Sequence, residues 1–161
     1  MDSQAYQTVL SQLAAELEKQ PLRPLSDLKS HLAEIQATGV YAIYYRGPCP
    51  DCQGAPGRPV YAGSAVDSPL KPGEGKRLWE RLSGHRNSIA PTTLNVSDFS
   101  FRTLALPSAV AIGVEHTFIN SRHPIWNGSG FGSNASGKGR PDQKRSVWDT
   151  RHPGRAGRGN K

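Results

Sequence analysis

Two short runs of aromatic and β-branched residues constrain the fold of this chain more than any other feature. Val40–Tyr45 and Pro59–Gly63 both have the composition of strands and can pair as an antiparallel hairpin. The Pro- and Gly-rich excursion between them, from Gly47 to Arg58, is far too long for a tight turn. Alternate side chains of a strand share a face, so the face on which Tyr41 and Ile43 lie depends on the strand register. The sequence leaves this register open.

Helical periodicity predicts that helices flank these strands. The predicted elements are a helix at residues 3–19, a helix capped by Ser26 that stops at Gly39, helices at 75–87 and 108–121, and a third strand at 98–104. After Pro124 the regular signals fade. The order predicts an α+β domain, with a three-stranded, mainly antiparallel sheet flanked by helices and an irregular basic C-terminal segment.

The length and the termini restrict the class of protein. A chain of 161 residues corresponds to one domain with a single modest core. No apolar run approaches the roughly 18 residues of a membrane span, and the N-terminus lacks the basic-then-apolar pattern of a signal peptide. We therefore expect a soluble protein of the cytoplasm without a membrane segment.

The positive charge of the chain is concentrated at its C-terminal end. Residues 1–121 contain eleven Lys and Arg against eleven Asp and Glu, whereas residues 122–161 contain nine against two. The same segment is rich in glycine and holds Trp126 and Trp148. This composition suits a polyanion that the backbone approaches closely, such as DNA. The alternative is a solvated, disordered basic tail, and we expect a flexible tail at residues 156–161.

The cysteines occur in one short motif, Cys49-Pro-Asp-Cys52. A C-x-x-C motif without a second pair is at most half of a zinc site. A cytoplasmic chain with two cysteines usually keeps them as thiols. The sequence therefore predicts two thiols, with structural zinc as the alternative.

Six polar residues, two within the hairpin motifs and four after them, occur in a recognisable order. Gly39–Tyr41 and Tyr61–Gly63 are followed by Arg and His one helical turn apart and by Glu and Asn twelve residues apart. Taken singly, such residues are sheet aromatics, a solvated basic face or a helix-boundary carboxylate. Together they resemble the GIY-YIG nuclease superfamily over roughly residues 35–155. The matching residues are Tyr41, Tyr61, Arg81, His85, Glu115 and Asn127.

The small type II restriction endonucleases are the branch that the chain resembles most. Glu115-His116, His123–Asn127 and His152–Arg155 look like theirs. The chain departs from the pattern at Val40 and Ala62, where members often have Ile, and in its long hairpin excursion. The first departure is a tolerable exchange of one apolar residue for another.

The resemblance implies a role for each residue in phosphodiester cleavage. Tyr41, with His85, would orient or deprotonate the attacking water, and Tyr61 would hold the phosphate or the water by its hydroxyl. Arg81 would clamp the scissile phosphate. Glu115 would bind one Mg²⁺ per site, with Mn²⁺ as a substitute. By the same resemblance, the side-chain amide of Asn127 would connect the parts of the site by hydrogen bonds.

Sequence-specific cleavage also needs side chains that reach DNA. The expected DNA-binding residues are Arg77, Arg140, Gln143, Lys144, Arg145, Arg151 and Arg155. We expect one nuclease domain at residues 1–155, with a helical addition at 1–37 and a DNA-recognition segment at 122–155. The resemblance implies double-strand cleavage and a cognate DNA methyltransferase. Because arginine and lysine pair most often with guanine, we expect a GC-rich palindrome, and a palindrome implies a two-fold homodimer. The alternatives are a structure- or lesion-directed nicking nuclease and a non-catalytic DNA-binding module.

Overall fold

The computed structural model of the chain describes residues 2–52, 56–132 and 146–155. The helices are α1 (Ser3–Lys19), α2 (Leu32–Ile35), α3 (Leu78–Ile89), α4 (Ser108–Arg122) and α5 (Val147–Arg151). The strands are β1 (Arg23–Pro24), β2 (Gly39–Tyr45), β3 (Tyr61–Ala65) and β4 (Phe99–Ala105). Single turns of 3-10 helix lie at Leu25–Asp27, Lys29–His31, Pro50–Cys52 and Val96–Asp98.

The strands form one antiparallel sheet in the order β1-β4-β2-β3. β2 lies at the centre, and all seven of its residues are buried. The predicted α+β class is confirmed, but the sheet has four strands instead of three. The additional strand, Arg23–Pro24, is too short and too polar to be visible as a strand in the sequence. Its Pro24 is tolerated because β1 is an edge strand.

The sheet is covered on both faces. Val40, Ala42 and Tyr44 pack with α1 and α4 on one face. Tyr41 and Ile43 lie together on the other face, where they pack with α3 and with Trp126, Phe131 and Trp148. The register that the sequence left open is therefore settled, and it points Tyr41 at α3. β3 forms the edge of the sheet at which both layers meet.

Two predicted helices differ from the observed ones. The helix capped by Ser26 is replaced by two 3-10 turns and the short α2. Ser30 there donates to the Asp27 carboxylate at 2.8 Å, a local side-chain bond that competes with helix continuation. The helix predicted from residue 75 begins at Leu78, because Arg77 is extended, with φ −86° and ψ 165°. Arg77 thus lies outside the helical stripe of Arg81 and His85.

The cysteines are not thiols, contrary to the prediction from sequence. Cys49 and Cys52 form a disulfide. The Cys52 amide donates to the Cys49 carbonyl at 3.2 Å, and this turn brings the two Cα atoms to 5.3 Å, within the range that a disulfide spans. Cys52 Sγ also lies 3.7 Å from His152 Nε2. A compact turn thus favours a bond that composition alone did not indicate.

Gly63 is required by the packing of Tyr41. The two residues are partners across β2 and β3, and a Cβ at residue 63 would lie 2.5 Å from the Tyr41 hydroxyl oxygen and 2.7 Å from Cζ. Real Cβ atoms do not approach other atoms so closely, so the Tyr41 ring would have to move. It has little room, because Tyr41 is buried against α3.

We therefore expect Gly63→Ala to lower the free energy of unfolding by about 1–3 kcal/mol through overpacking. Gly84→Ala is the matched control, because Gly84 is exposed in α3 and a Cβ there meets nothing within 4 Å. That variant should gain up to about 1 kcal/mol from the better helix propensity of alanine. Urea unfolding measures both changes. A shift of the same sign in the two variants would contradict the steric argument.

None of the helices in residues 2–52, 56–132 and 146–155 combines the length and the hydrophobicity that a bilayer crossing requires.

Candidate active site

Two tyrosines lie side by side where β2 meets the edge strand β3. The ring centroids of Tyr41 and Tyr61 are 6.2 Å apart. Tyr41 is 2 % exposed, whereas Tyr61 is half-buried. Because they occupy neighbouring strands on the same face of the sheet, their hydroxyl groups share one environment beneath α3.

α3 brings an imidazole and a guanidinium to the tyrosines. Arg81 and His85 are four residues apart in the helix and therefore share a face. His85 Nε2 lies 2.6 Å from the Tyr41 hydroxyl oxygen, and the His85 ring contacts the Tyr61 ring at 4.9 Å. The Nε of Arg81 is buried and has no hydrogen-bond partner within the part of the chain that the structure describes. An unpaired buried donor is costly, and an anion would satisfy it.

The environment sets the protonation of this pair. Burial raises the pKa of Tyr41 well above its ordinary value, and Tyr61 and Glu115 add to the effect, while Arg81 opposes it. Burial lowers the pKa of His85 to about 3, helped by the positive charges of Arg81, Arg155 and Lys76. At neutral pH both groups are therefore uncharged, and the Tyr41 hydroxyl donates to His85 Nε2 in the tautomer that carries the imidazole proton on Nδ1.

The carboxylate of the site comes from the opposite face of the sheet. Glu115 lies on α4, and its Oε2 accepts a hydrogen bond from the Ser64 hydroxyl. Its negative charge raises the pKa of Tyr61 after burial, which is the larger cause. The site therefore extends around the edge strand, with phenols on one side and a carboxylate on the other. Ser64 was not predicted from the sequence, although it directly follows the Tyr61–Gly63 motif.

The donors near Glu115 fit one kind of cation. Among the described residues, no three His, Cys, Asp or Glu side chains gather in a metal-binding group. A single carboxylate, fixed by Ser64, does not suit zinc, which prefers several nitrogen and sulfur ligands. It fits a hard divalent cation that keeps most of its water shell, as Mg²⁺ does.

Asn127 connects the C-terminal half of the domain to the edge strand. Its Oδ1 accepts from the Ala62 amide at 3.0 Å, and its Nδ2 donates to the Ala62 carbonyl at 2.8 Å. The side chain thus pairs the outward backbone groups of β3 much as another strand would. This bidentate contact fixes the segment between Tyr61 and Ser64 and covers an exposed sheet edge.

The arginines expected to bind DNA have different environments. Arg77 pairs with Asp67 at 2.7 Å and remains about one-third exposed. Arg151 is exposed at the end of α5. Arg140, Gln143, Lys144 and Arg145 lie outside the described residues. Arg155 is 8 % exposed, and its guanidinium is bonded to Asp149 and to backbone carbonyls. Arg155 is thus a structural residue here, and its burial does not fit the predicted contact with DNA bases.

His85 makes the stability of the fold depend on pH. The unfolded chain binds a proton at the ordinary histidine pKa of about 6.5, whereas folded His85 binds one at about 3. The contribution of His85 to the free energy of unfolding is therefore fully present above about pH 6.5, and it is lost as the pH falls towards 3.

We expect wild type to lose about 2 kcal/mol more than His85→Gln in unfolding free energy between pH 8 and pH 5. Urea unfolding at the two pH values measures the difference. His152, whose pKa burial also lowers, is present in both proteins and cancels. His116→Gln, at an exposed position of α4, is the control and should behave as wild type. Parallel losses in wild type and His85→Gln would show that folded His85 titrates normally.

The comparison with protein families agrees with this geometry. The family model described as the Eco29kI GIY-YIG domain matches residues 33–160, which include all six candidate residues. No curated protein matches the chain. The resemblance noted in the sequence is confirmed, and the antiparallel sheet with flanking helices is consistent with it. The chain belongs to the Eco29kI GIY-YIG family, a family of type II restriction endonucleases, and is a nuclease that acts on DNA.

Proposed function

We propose that the protein is a Mg²⁺-dependent type II restriction endonuclease that cuts both strands of DNA at a specific GC-rich palindrome. The observation that carries the proposal is the 2.6 Å contact between the Tyr41 hydroxyl and His85 Nε2. Near it are the charge of the Glu115 carboxylate and an Arg81 Nε that has no hydrogen-bond partner among the described residues. This set supplies a water-activating pair, a phosphate ligand and a metal ligand around one strand.

We assign the activation of water to Tyr41 and His85. In this scheme water donates a hydrogen bond to the Tyr41 oxygen, and the Tyr41 hydroxyl donates to His85 Nε2, which lies 2.6 Å away. As the water attacks phosphorus, its proton passes to the Tyr41 oxygen and the Tyr41 proton passes to His85, so the charge ends on an imidazolium. A phosphate bound at Arg81 assists this transfer, because it offsets one of the positive charges that lower the His85 pKa.

Phosphate binding falls to Arg81 and Tyr61. The Arg81 guanidinium presents several donors in one plane, which suits two oxygens of the scissile phosphate. Tyr61 keeps its proton at neutral pH, since burial raises its pKa, and its hydroxyl therefore donates to the phosphate or to the water. Both contacts tighten as negative charge grows on the phosphoryl oxygens.

Glu115 is the residue that we assign to the cation. Mg²⁺, with Mn²⁺ as a substitute, supplies charge neutralisation at the phosphoryl and departing 3′ oxygens when it is bound. Ser64 holds one carboxylate oxygen, so Glu115 presents the other in a fixed direction. Asn127 keeps β3, and with it Ser64, in register with the rest of the site.

Specific double-strand cleavage requires more than this site. A palindrome has equivalent halves, so a two-fold homodimer places one site on each strand. Residues 122–155 are the proposed recognition segment, and Arg151 is exposed within it. Arg77, Arg140, Gln143, Lys144 and Arg145 complete the proposed DNA-contacting set. A methyltransferase that modifies the same sequence, and a cytoplasmic location with the chromosome, follow from this role.

The direct test is the digestion of a sequenced plasmid with and without Mg²⁺. The proposal expects discrete double-strand fragments whose ends map to one short palindrome, and no product in EDTA. Nicked circles without linear product would support a structure- or lesion-directed nuclease instead. Intact plasmid with retained DNA binding would indicate a non-catalytic binding module.

The recognition segment makes a separate prediction. We expect Ala at one or more of Arg140, Arg145 and Arg151 to cost about 1–3 kcal/mol on the cognate site and little on random DNA, since bidentate guanine contacts carry specificity. Removing residues 157–161 should lower the affinity for all duplexes and reduce the salt slope, since phosphate contacts are not specific. Competition binding at fixed salt measures both. Equal losses on cognate and random DNA in all three Arg variants would place specificity elsewhere, with residues 47–58 as the next candidate.

A further inference from the structure

An aromatic side chain that the proposed mechanism does not use lies directly against His85. Phe131 is 1 % exposed, and its ring stacks on the His85 ring at 4.8 Å with an interplanar angle of 21°. Its edge also meets the Tyr61 ring at 5.1 Å and 79°. One apolar ring thus contacts two of the six site residues.

A buried ion pair holds the backbone of Phe131. Arg155 donates through Nη1 to the Phe131 carbonyl at 2.9 Å and through Nη2 to the Gly130 carbonyl at 3.1 Å. The same guanidinium forms two bonds to the Asp149 carboxylate, at 2.9 and 2.8 Å. Both side chains are less than 10 % exposed. A bidentate, buried pair of this kind fixes geometry as well as charge.

Further contacts fix Phe131 from the remaining directions. The rings of Trp126 and Trp148 each lie 4.9 Å from it. Gly132 leaves space that the Tyr61 hydroxyl occupies, and a Cβ there would overlap it. Arg155 Nη1 also lies 3.5 Å from Ser88 Oγ on α3, one turn after His85. The position of the Phe131 ring relative to α3 is therefore set by several independent contacts.

We propose that Phe131 is a positioning residue, which keeps the His85 ring in the plane where Nε2 accepts the Tyr41 hydroxyl, and that the Arg155–Asp149 pair holds Phe131 in place. This inference rests on the proposed function of the site. A flat ring stacked on the imidazole restricts rotation about its χ2 angle, and that rotation would turn Nε2 away from Tyr41.

Phe131 also contributes to the burial of His85. Burial is the largest cause that lowers the His85 pKa to about 3, ahead of the nearby charges. Among the described residues, the titratable and charged groups that act on His85 are Tyr41 from β2, Tyr61 from β3, Arg81 on α3, Arg155 after α5 and Lys76 before α3. None of these is anionic, so water at the place of the Phe131 ring would favour the protonated form of His85.

The test compares two Phe→Leu variants in one core. Phe131→Leu removes the stacked ring. Phe99→Leu removes an equally buried ring that packs on Tyr45 and Trp126. With saturating DNA, we expect Phe131→Leu to lower the single-turnover cleavage rate about tenfold or more at pH 8 and further at pH 6, with DNA affinity nearly unchanged. Phe99→Leu should stay within about twofold at both pH values, whatever its cost in stability.

A second measurement does not depend on cleavage. NMR titration of the histidine rings should show the His85 pKa rising towards its ordinary value in Phe131→Leu and unchanged in Phe99→Leu, with His85→Gln identifying the resonance. If wild type does not cut DNA, the proposed function fails, and this titration alone decides the role of Phe131.

Arg155→Lys keeps the charge but loses the forked contacts, and it replaces Phe131→Leu if that variant does not fold. Phe131→Tyr, which keeps a flat ring, should restore most of the rate. Equal rate losses in the two Leu variants, or an unchanged His85 titration in Phe131→Leu, would overturn the proposal.

Discussion

Replacing Glu115 by Gln is expected to abolish DNA cleavage while specific DNA binding is kept or becomes tighter. The substitution removes the one carboxylate assigned to the cation and leaves the size of the side chain unchanged. An amide oxygen binds a hydrated divalent cation far more weakly than a carboxylate does. We expect the rate to fall by about 10³-fold or more, equivalent to about 4 kcal/mol of barrier. Binding should not weaken, because a negative charge leaves the neighbourhood of the phosphate.

The measurement pairs single-turnover cleavage in Mg²⁺ with competition binding in Ca²⁺. Glu16→Gln makes the same chemical change in α1, where Glu16 forms a surface ion pair with Lys19 at 3.5 Å, and it should cut as wild type does. Ser64→Ala should lie between the two, because the carboxylate remains but loses its hydrogen bond. A Glu115→Gln protein that retains more than about a tenth of the wild-type rate would contradict the assignment. A tenfold loss corresponds to about 1.4 kcal/mol of activation barrier.

Tyr41→Phe should produce the second largest loss of activity. The change removes one hydroxyl, and with it the donor to His85 Nε2 and the acceptor for the attacking water. For a group that positions or activates water, we expect the rate to fall by about 10² to 10⁴-fold. The unpaired imidazole nitrogen should also cost about 1–3 kcal/mol of stability. Cleavage rates and urea unfolding measure the two effects.

Tyr45→Phe is a close control for this experiment. Tyr45 lies on the same face of β2, and its hydroxyl accepts a hydrogen bond from the Cys49 amide at 3.0 Å. This variant also loses a buried hydroxyl, so it should lose stability but keep its cleavage rate. His85→Ala should lose activity comparably to Tyr41→Phe and flatten the acid limb of the pH profile. A near-normal rate in Tyr41→Phe would make Tyr41 a core aromatic.

Strong local signals made the fold class predictable. The run at Val40–Tyr45 became the central strand β2, and the strand predicted at 98–104 became β4 with a shift of one residue. β3 begins at Tyr61, two residues later than predicted. The Val60 amide does donate to the Ile43 carbonyl of β2, but this hydrogen bond lies outside the regular ladder. β1 was missed because two residues carry no periodic signal, and its existence depends on pairing with β4.

The candidate site was predictable as a set of residues but not as an arrangement. Order and spacing pointed to Tyr41 and His85, yet their hydrogen bond depends on a strand register that the sequence leaves open. Ser64 and Phe131 gave no signal, because a serine in a strand and a phenylalanine among glycines have many ordinary explanations. Arg155 was misjudged for a related reason: positive charge in a basic segment suggested DNA, while its burial depends on an Asp149 that only the fold brings near.

The contacts that hold Phe131 have a consequence for how such enzymes diversify. The Trp148 amide donates to the Ser129 carbonyl at 2.9 Å, and Arg155 bonds to the Phe131 carbonyl. Residues 129–131 and 148–155 are therefore joined by contacts in the same core as the ring that stacks on His85. If residues 122–155 read the target sequence, as we propose, the part of the chain that selects DNA and the part that cuts it share one core. A change of target must then leave these contacts in place.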